Sequence, residues 1–335
     1  MRQSGPEISG SAVVITGASS GIGRAAAERF AAEGANLVLA ARSPDDLDEV
    51  TARCQALGAE AFTVLTDVGD EAQIRDLAAA AVECFGRIDA WISNAGVIAY
   101  GHFEDMPSDV FDGVIRTNLL GQIYGARAAL AQFRRQGSGV LVNLSSVWGR
   151  VTSPYVIPYV VSKHAVRAFS ASLRQGIATT TGAERIHVCT VLPESVDTPI
   201  FRHAANYTGR PVKPVSPVID VDRTAKAIVE AVREPRGEIS VGRVGHAVAA
   251  GAALIPRPLY ERIAPKLFEM AALDDGDAEY SPGNVLAPEP ELNAVEGGWR
   301  NRSGSALARM AAGAAAVGAP LVAAGLIARR ARHKG

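Results

Sequence analysis

From Ser11 onward the chain alternates short, unbroken apolar runs with amphipathic stretches. AVVIT at 12–16, NLVLA at 36–40, AFTVL at 61–65, AWIS at 90–93, VLVNL at 140–144 and HVCTVL at 187–192 read as strands, with a last one near 238–241. Helical stretches lie between them, among them 21–32 and 45–57. A run of consecutive Val, Ile and Leu has no polar face to turn to water, so both faces of its sheet must be covered. The pattern therefore predicts an α/β domain over 11–245: a doubly wound parallel sheet, the Rossmann fold, followed by a C-terminal helical or disordered extension.

The flanks differ from this domain. Residues 1–10 form a polar arm without the apolar core of a secretory signal. Residues 246–273 are apolar with scattered basic residues and predict a helical extension, whereas 274–305, rich in Gly, Pro, Asp and Glu, predict a flexible linker. Residues 306–335 form an Ala-rich apolar stretch with a basic end. No charge falls between Met310 and Ala328, close to the ~20 residues that span a bilayer. Against a span, most of these residues are Ala or Gly and Pro320 interrupts them. Two readings stay open. One is membrane association, with Arg329, Arg330, Arg332 and Lys334 among anionic head groups and 246–268 as an interfacial helix. The other is an Ala-rich helix packed on the domain or on a neighbouring subunit.

Composition narrows the function classes. With 34 basic against 35 acidic residues the formal net charge is −1, which gives no electrostatic reason to expect nucleic acid as a partner. Cys54, Cys84 and Cys189 stand too far apart for a metal or redox motif. They read as buried small hydrophobes in a reducing cytosol, so no metal and a cytoplasmic location are expected.

The run TGASSGIG at 16–23 sits between the first strand and the first helix. Gly17 permits a tight turn, Gly21 lets backbone approach a pyrophosphate, and Gly23 allows close helix–strand packing. Ser19, Ser20 and Ile22 complete a loop whose helix N-terminus offers free N–H groups to phosphate. An acid at the end of the second strand would bind the ribose 2′-hydroxyl of NAD. Here Arg42 and Ser43 stand instead, and they suit a 2′-phosphate, so NADP(H) is favoured over NAD(H). Asp67 and Val68 follow the third strand, where a carboxylate can accept from adenine. Asn94, Ala95 and Gly96 follow the fourth, where small residues let the cofactor's sugar pass.

YVVSK at 159–163 places Tyr159 and Lys163 on one helix face. An ammonium beside a phenol favours the phenolate, lowering the tyrosine toward neutrality and fitting it for acid/base work on an alcohol or carbonyl. Ser145 and Ser146 close the preceding strand, and a serine hydroxyl there can hold the substrate oxygen. Asn118 sits in a helical stretch, where an Asn can free a carbonyl for water.

Together these residues resemble the short-chain dehydrogenase/reductase family, from about Ser11 to Val241. The resemblance implies a tetrad of Asn118, Ser146, Tyr159 and Lys163. Tyr159 would be the acid/base and Ser146, the second serine, would orient the carbonyl. Lys163 would lower the tyrosine and bind the nicotinamide ribose, and Asn118 would anchor a relay water. It also implies that Pro193, Val196 and Thr198 hold the nicotinamide carboxamide, that the lid covers 199–217, and that the protein is a homo-oligomer. The run YVVSKHAVRAFS looks like members that act on lipophilic alcohols and ketones. One departure stands out: Glu194 occupies a place where the family usually has glycine, either to contact substrate or to face solvent. The expected function is NADP(H)-dependent interconversion of a small lipophilic secondary alcohol and its ketone or aldehyde. The alternative is a non-catalytic NADP(H)-binding regulatory or membrane-associated scaffold on the same fold.

Overall fold

The structure, a computed structural model, describes residues 4–252, 255–289 and 294–300. Its strands are β1 (Ala12–Thr16), β2 (Asn36–Ala41), β3 (Ala61–Leu65), β4 (Ala90–Ser93), β5 (Ala99–Gly101), β6 (Gly139–Leu144), β7 (Ile186–Pro193), β8 (Ser195–Val196), β9 (Ala205–Tyr207), β10 (Val218–Ile219) and β11 (Glu238–Val241). The helices are α1 (Gly21–Ala32), α2 (Pro44–Ala56), α3 (Glu71–Phe85), α4 (Ser108–Ile115), α5 (Gly121–Gln136), α6 (Ile157–Ala178), α7 (Val221–Arg233), α8 (Val244–Ala252) and α9 (Arg257–Ala272).

Seven strands form one parallel sheet in the order β11-β7-β6-β4-β1-β2-β3. The order reverses between β1 and β4, and ligands of such sheets bind at that switch point, outside the strands' carboxyl ends. Alternation along the strands fills two separate cores. Val13, Ile15, Leu37, Leu39 and Ile92 pack with Phe30, Leu47 and Ile228 of α1, α2 and α7. Val14, Val38, Trp91 and Leu141 pack on the other face with Ile74, Leu77 and Phe133 of α3 and α5. This is the doubly wound arrangement that the apolar runs predict. Local chemistry sets the helix ends: Asp70 caps α3 by accepting from Ala72 N and Gln73 N, and Gly86 closes it in the left-handed conformation.

Three expectations need correction. β3 is an edge strand, and Phe62 and Leu65 are exposed. Cys54 and Cys189 are buried, but Cys84 is exposed on α3 because it falls on the helix's outer face. The third concerns residues 274–305. Their described part does not hang free but lies against the domain. Asp274 N donates to Pro211 O at 2.8 Å, Ala278 N to Gly209 O at 2.9 Å, and Asn284 N to His203 O at 3.0 Å. Gly- and Pro-rich composition excludes a helix or strand here, but it does not exclude irregular backbone whose polar groups are satisfied by a neighbour.

Val244–Ala252 and Arg257–Ala272 form α8 and α9, and the bridge Val212↔Leu273 ties the end of α9 to the segment 199–217. Among the described residues no helix is long and apolar enough to cross a membrane. The expectations for 306–335 lie outside the described residues.

Candidate active site

The carboxyl ends of β1, β2, β3, β4, β6 and β7 surround one groove. It is lined by Gly17, Ser19, Ser20, Gly21 and Ile22 from the first turn, and by Arg42, Ser43, Asp67, Val68, Asn94, Ala95 and Gly96 from the next three strand ends. Ser146, Tyr159, Lys163, Pro193, Val196 and Thr198 line its other end. Of the sequence-derived residues only Gly23 and Asn118 stand behind the lining.

The first turn is built by close approach. Gly17 has φ +65°, and a Cβ there would lie 2.7 Å from Ala95 Cα. A Cβ on Gly23 would collide with the carbonyl oxygen of Gly17. Asn94 stitches the turn from below, donating to Thr16 O at 3.1 Å and Gly17 O at 3.0 Å. Ser20, the N-cap of α1, makes no side-chain cap bond. The first-turn amides of α1 thus face the groove without a side chain to satisfy them, which fits the anionic phosphates of a dinucleotide.

At the end of β2, Arg42 is half-buried, and burial pulls its guanidinium down from the ordinary value while the charge of Asp67 opposes the shift. Two of its nitrogens donate to backbone: Nη2 to Asn284 O at 2.5 Å and Nη1 to Val285 O at 3.4 Å. Ser43 differs from expectation. Its buried hydroxyl donates to Asp46 Oδ2 in the first turn of α2. Asp67 accepts from Gly69 N at 2.8 Å, which fixes the carboxylate at the strand end.

At the opposite end the two serines separate by their partners. Ser145 Oγ donates to Lys163 O at 2.8 Å and so ties β6 to α6. Ser146, on the groove side, accepts from Trp148 N at 3.2 Å and is hydrogen-bonded to Tyr159. Lys163, only 4% exposed, donates from Nζ to Leu144 O at 2.9 Å. Its Nζ stands 5.4 Å from the centroid of the Tyr159 ring. The tyrosine therefore does not behave as its spacing to Lys163 suggests. Burial pushes it up to about 12, and the Ser146 hydrogen bond only partly offsets this. The same burial lowers Lys163 to about 8.

Asn118 is wholly buried in a π-helical turn, Arg116–Leu120, between α4 and α5. Such turns widen a helix locally and are frequent at functional sites. Its Oδ1 accepts from Val97 N at 2.8 Å, and its Nδ2 donates to Val97 O at 2.9 Å and Ser162 Oγ at 3.2 Å. It thereby braces the β4–β5 connection against α6.

Glu194 lines the groove and does not face solvent. It is 5% exposed, and Oε1 accepts from Gly245 N at 2.7 Å and His246 N at 3.4 Å in the first turn of α8. A carboxylate suits the positive end of a helix dipole, so this side chain joins the extension to the sheet. Sequence reasoning missed Ile98, Trp148 and Ile200 as lining residues, along with Asn284, Pro288 and Glu289. The first three carry no motif. The last three sit in a stretch whose composition signals only irregular structure.

The family described as short chain dehydrogenase matches residues 11–207. An uncharacterized oxidoreductase of Bacillus subtilis, YxnA, is 33% identical over 257 residues, covering 76% of this chain and 71% of that one. An L-rhamnose 1-dehydrogenase (NAD(P)(+)) of a Sphingomonas species is 38% identical over 195 residues, 58% of this chain and 75% of the other. Among solved structures, a short chain dehydrogenase/reductase from Burkholderia phymatum in complex with NAD superposes with a TM-score of 0.67 at 27% identity, covering 82% of this chain and 100% of that chain. An alcohol dehydrogenase from Thermococcus sibiricus complexed with 5-hydroxy-NADP gives 0.60 at 28% identity over 70% of this chain and 97% of its own.

Proposed function

Given that this chain belongs to the short-chain dehydrogenase family of oxidoreductases, we propose that it interconverts a lipophilic secondary alcohol and its carbonyl, using NADP(H) in preference to NAD(H). The observation that carries the reading is the meeting of Ser146, Tyr159 and Lys163 at one end of a groove whose other end presents Arg42. The nicotinamide cofactor, when bound, supplies or accepts the hydride. The chain's own residues handle the proton and the orientation. Tyr159 Oη gives its proton to the carbonyl oxygen in reduction and takes it back in oxidation. Ser146 holds the same oxygen by a hydrogen bond. Lys163 places a positive charge beside the phenolate that forms and so favours it. Asn118, held rigid at Val97, braces α6 through Ser162, and through it the helix that bears Tyr159 and Lys163.

The residues fit the cofactor. The first turn of α1, which no side chain caps, would receive the pyrophosphate, Asp67 the adenine, and Arg42 the 2′-phosphate. Pro193, Val196 and Thr198 flank the nicotinamide. The preference for NADP(H) is supported by a guanidinium at the end of β2 where no carboxylate stands. The neighbours' own cofactors, NAD in one case and an NADP derivative in another, leave both within the family's reach. The lipophilic substrate class is supported by Ile98, Trp148, Ile200 and Phe201, apolar walls beyond Tyr159. The test is steady-state turnover of NADPH and NADH with a panel of hydrophobic and sugar-like carbonyls. Faster turnover of polar sugars than of any hydrophobic ketone would overturn the substrate class, and equal use of both cofactors would overturn the preference.

A further inference from the structure

The C-terminal segment touches the groove at three places along its length. At the Arg42 end, the carbonyls of Asn284 and Val285 accept from the guanidinium. In the middle, Ala294 O accepts at 3.0 Å from Gly21 N, the amide that opens α1. At the Tyr159 end, Trp299 N and Arg300 N donate to the two carboxylate oxygens of Asp197 at 2.8 and 3.3 Å. Trp299 Nε1 donates to Thr198 O at 3.2 Å, and Arg202 Nη2 donates to Gly297 O at 2.6 Å. The Trp299 ring meets Phe201 edge-on at 6.1 Å, with the Arg202 guanidinium 5.9 Å from its centroid. The first two places are the ones assigned above to the 2′-phosphate and the pyrophosphate, and the third includes Thr198 of the nicotinamide end.

We propose that residues 284–289 and 294–300 belong to a strap laid across the dinucleotide groove, and that its detachment at Trp299 sets the rate at which NADP(H) leaves. The inference rests on the cofactor reading of the groove. The two ends of the strap are unequal. At Arg42 the strap offers only neutral carbonyls, and a dianionic 2′-phosphate outcompetes these for a guanidinium. The cofactor therefore takes that end of the strap for itself on entry. At Trp299 nothing in a dinucleotide replaces the bonds to Asp197 and Thr198 or the ring contacts, so this anchor stays closed over the bound cofactor. Loops that close over a ligand commonly make its release the slow step. Gly297 lets the strap come close, since a Cβ there would collide with Thr198 O and the Trp299 ring.

The test uses full-length protein loaded with NADPH. Release is followed by loss of bound-NADPH fluorescence in a stopped-flow instrument, with excess NADP⁺ as the chase. Trp299→Ala removes the indole's bond to Thr198 O and its contacts with Phe201 and Arg202 while leaving the backbone bonds to Asp197, and Gly297→Val keeps the indole and blocks the docking sterically. Circular dichroism of each variant checks that the sheet domain is folded. Release at least tenfold faster in either folded variant, with a smaller change in association, is the expected result. Release at the wild-type rate in a folded variant overturns the strap. Wild-type protein that takes up neither NADPH nor NADH overturns the cofactor reading, and this inference falls with it.

Discussion

Lys163 makes the most direct trade between chemistry and stability in the molecule, and Lys163→Met should expose it. The side chain is buried, and no carboxylate is among the groups that shift it; burial alone lowers it from 10.5 to about 8. An unfolded lysine holds its proton up to its ordinary value, whereas the folded one releases it near 8. At pH 7 both states are charged, and the folded state carries the full cost of the buried ammonium. At about 1.4 kcal/mol per pH unit, that separation amounts to about 3 kcal/mol. Methionine has nearly the same length and no charge. It forfeits the bond to Leu144 O, worth about 1 kcal/mol, but that carbonyl still accepts from Gln122 Nε2 at 2.9 Å. The variant should therefore be about 2 kcal/mol more stable at pH 7, a rise in melting temperature of about 4–8 °C. Between pH 8 and 10.5 the unfolded wild type binds more protons than the folded one, so its stability climbs and the gap closes. The assay is thermal melting by circular dichroism at pH 7, 8, 9 and 10, with turnover in parallel, which should drop ~10²-fold or more. A methionine variant no more stable than wild type at pH 7, or a gap that does not narrow with pH, refutes the reasoning.

Tyr159→Phe should reduce turnover by ~10²–10⁴-fold while NADPH binding, read by fluorescence titration, stays near wild type; a tenth of wild-type activity would sink the acid/base assignment. Arg42→Ala should weaken NADPH tenfold or more and leave NADH nearly unchanged, since a charge-assisted pair is worth roughly 1.5–3 kcal/mol; parallel loss of both cofactors would show that Arg42 only braces the strap. Gly23→Val should abolish dinucleotide binding and lower the melting temperature, because its side chain would enter the space of Gly17 O; normal affinity would mean that the turn opens more easily than its packing suggests. Carbonyl reduction needs a protonated Tyr159, which burial pushes up to about 12, and a charged Lys163, lowered to about 8. Its rate should hold through neutral pH and fall above about 8; a rise from pH 8 to 10 contradicts this assignment.

The elements of the sheet domain were legible in the sequence because each is encoded within a few residues. Apolar runs predict β1, β4 and β7, and the Gly17–Gly23 turn marks the start of α1. A four-residue spacing alone puts Tyr159 and Lys163 on one face of α6. What contiguous residues cannot encode is which distant group meets them. The choice between Ser145 and Ser146 depends on α6, because Ser145 is committed to Lys163 O. The spacing of Tyr159 and Lys163 suggests a lowered phenol, yet burial in the packed domain reverses the direction. Glu194 finds its partners 51 and 52 residues onward, at the first turn of α8. Arg42 bonds to carbonyls 242 and 243 residues away. The strap shows the limit most clearly. Its anchors are mostly backbone carbonyls and amides, which every residue carries alike, so no composition or period can mark them. Only the packed domain, by placing Arg42, Gly21 and Thr198 along one groove, determines where an irregular segment comes to rest.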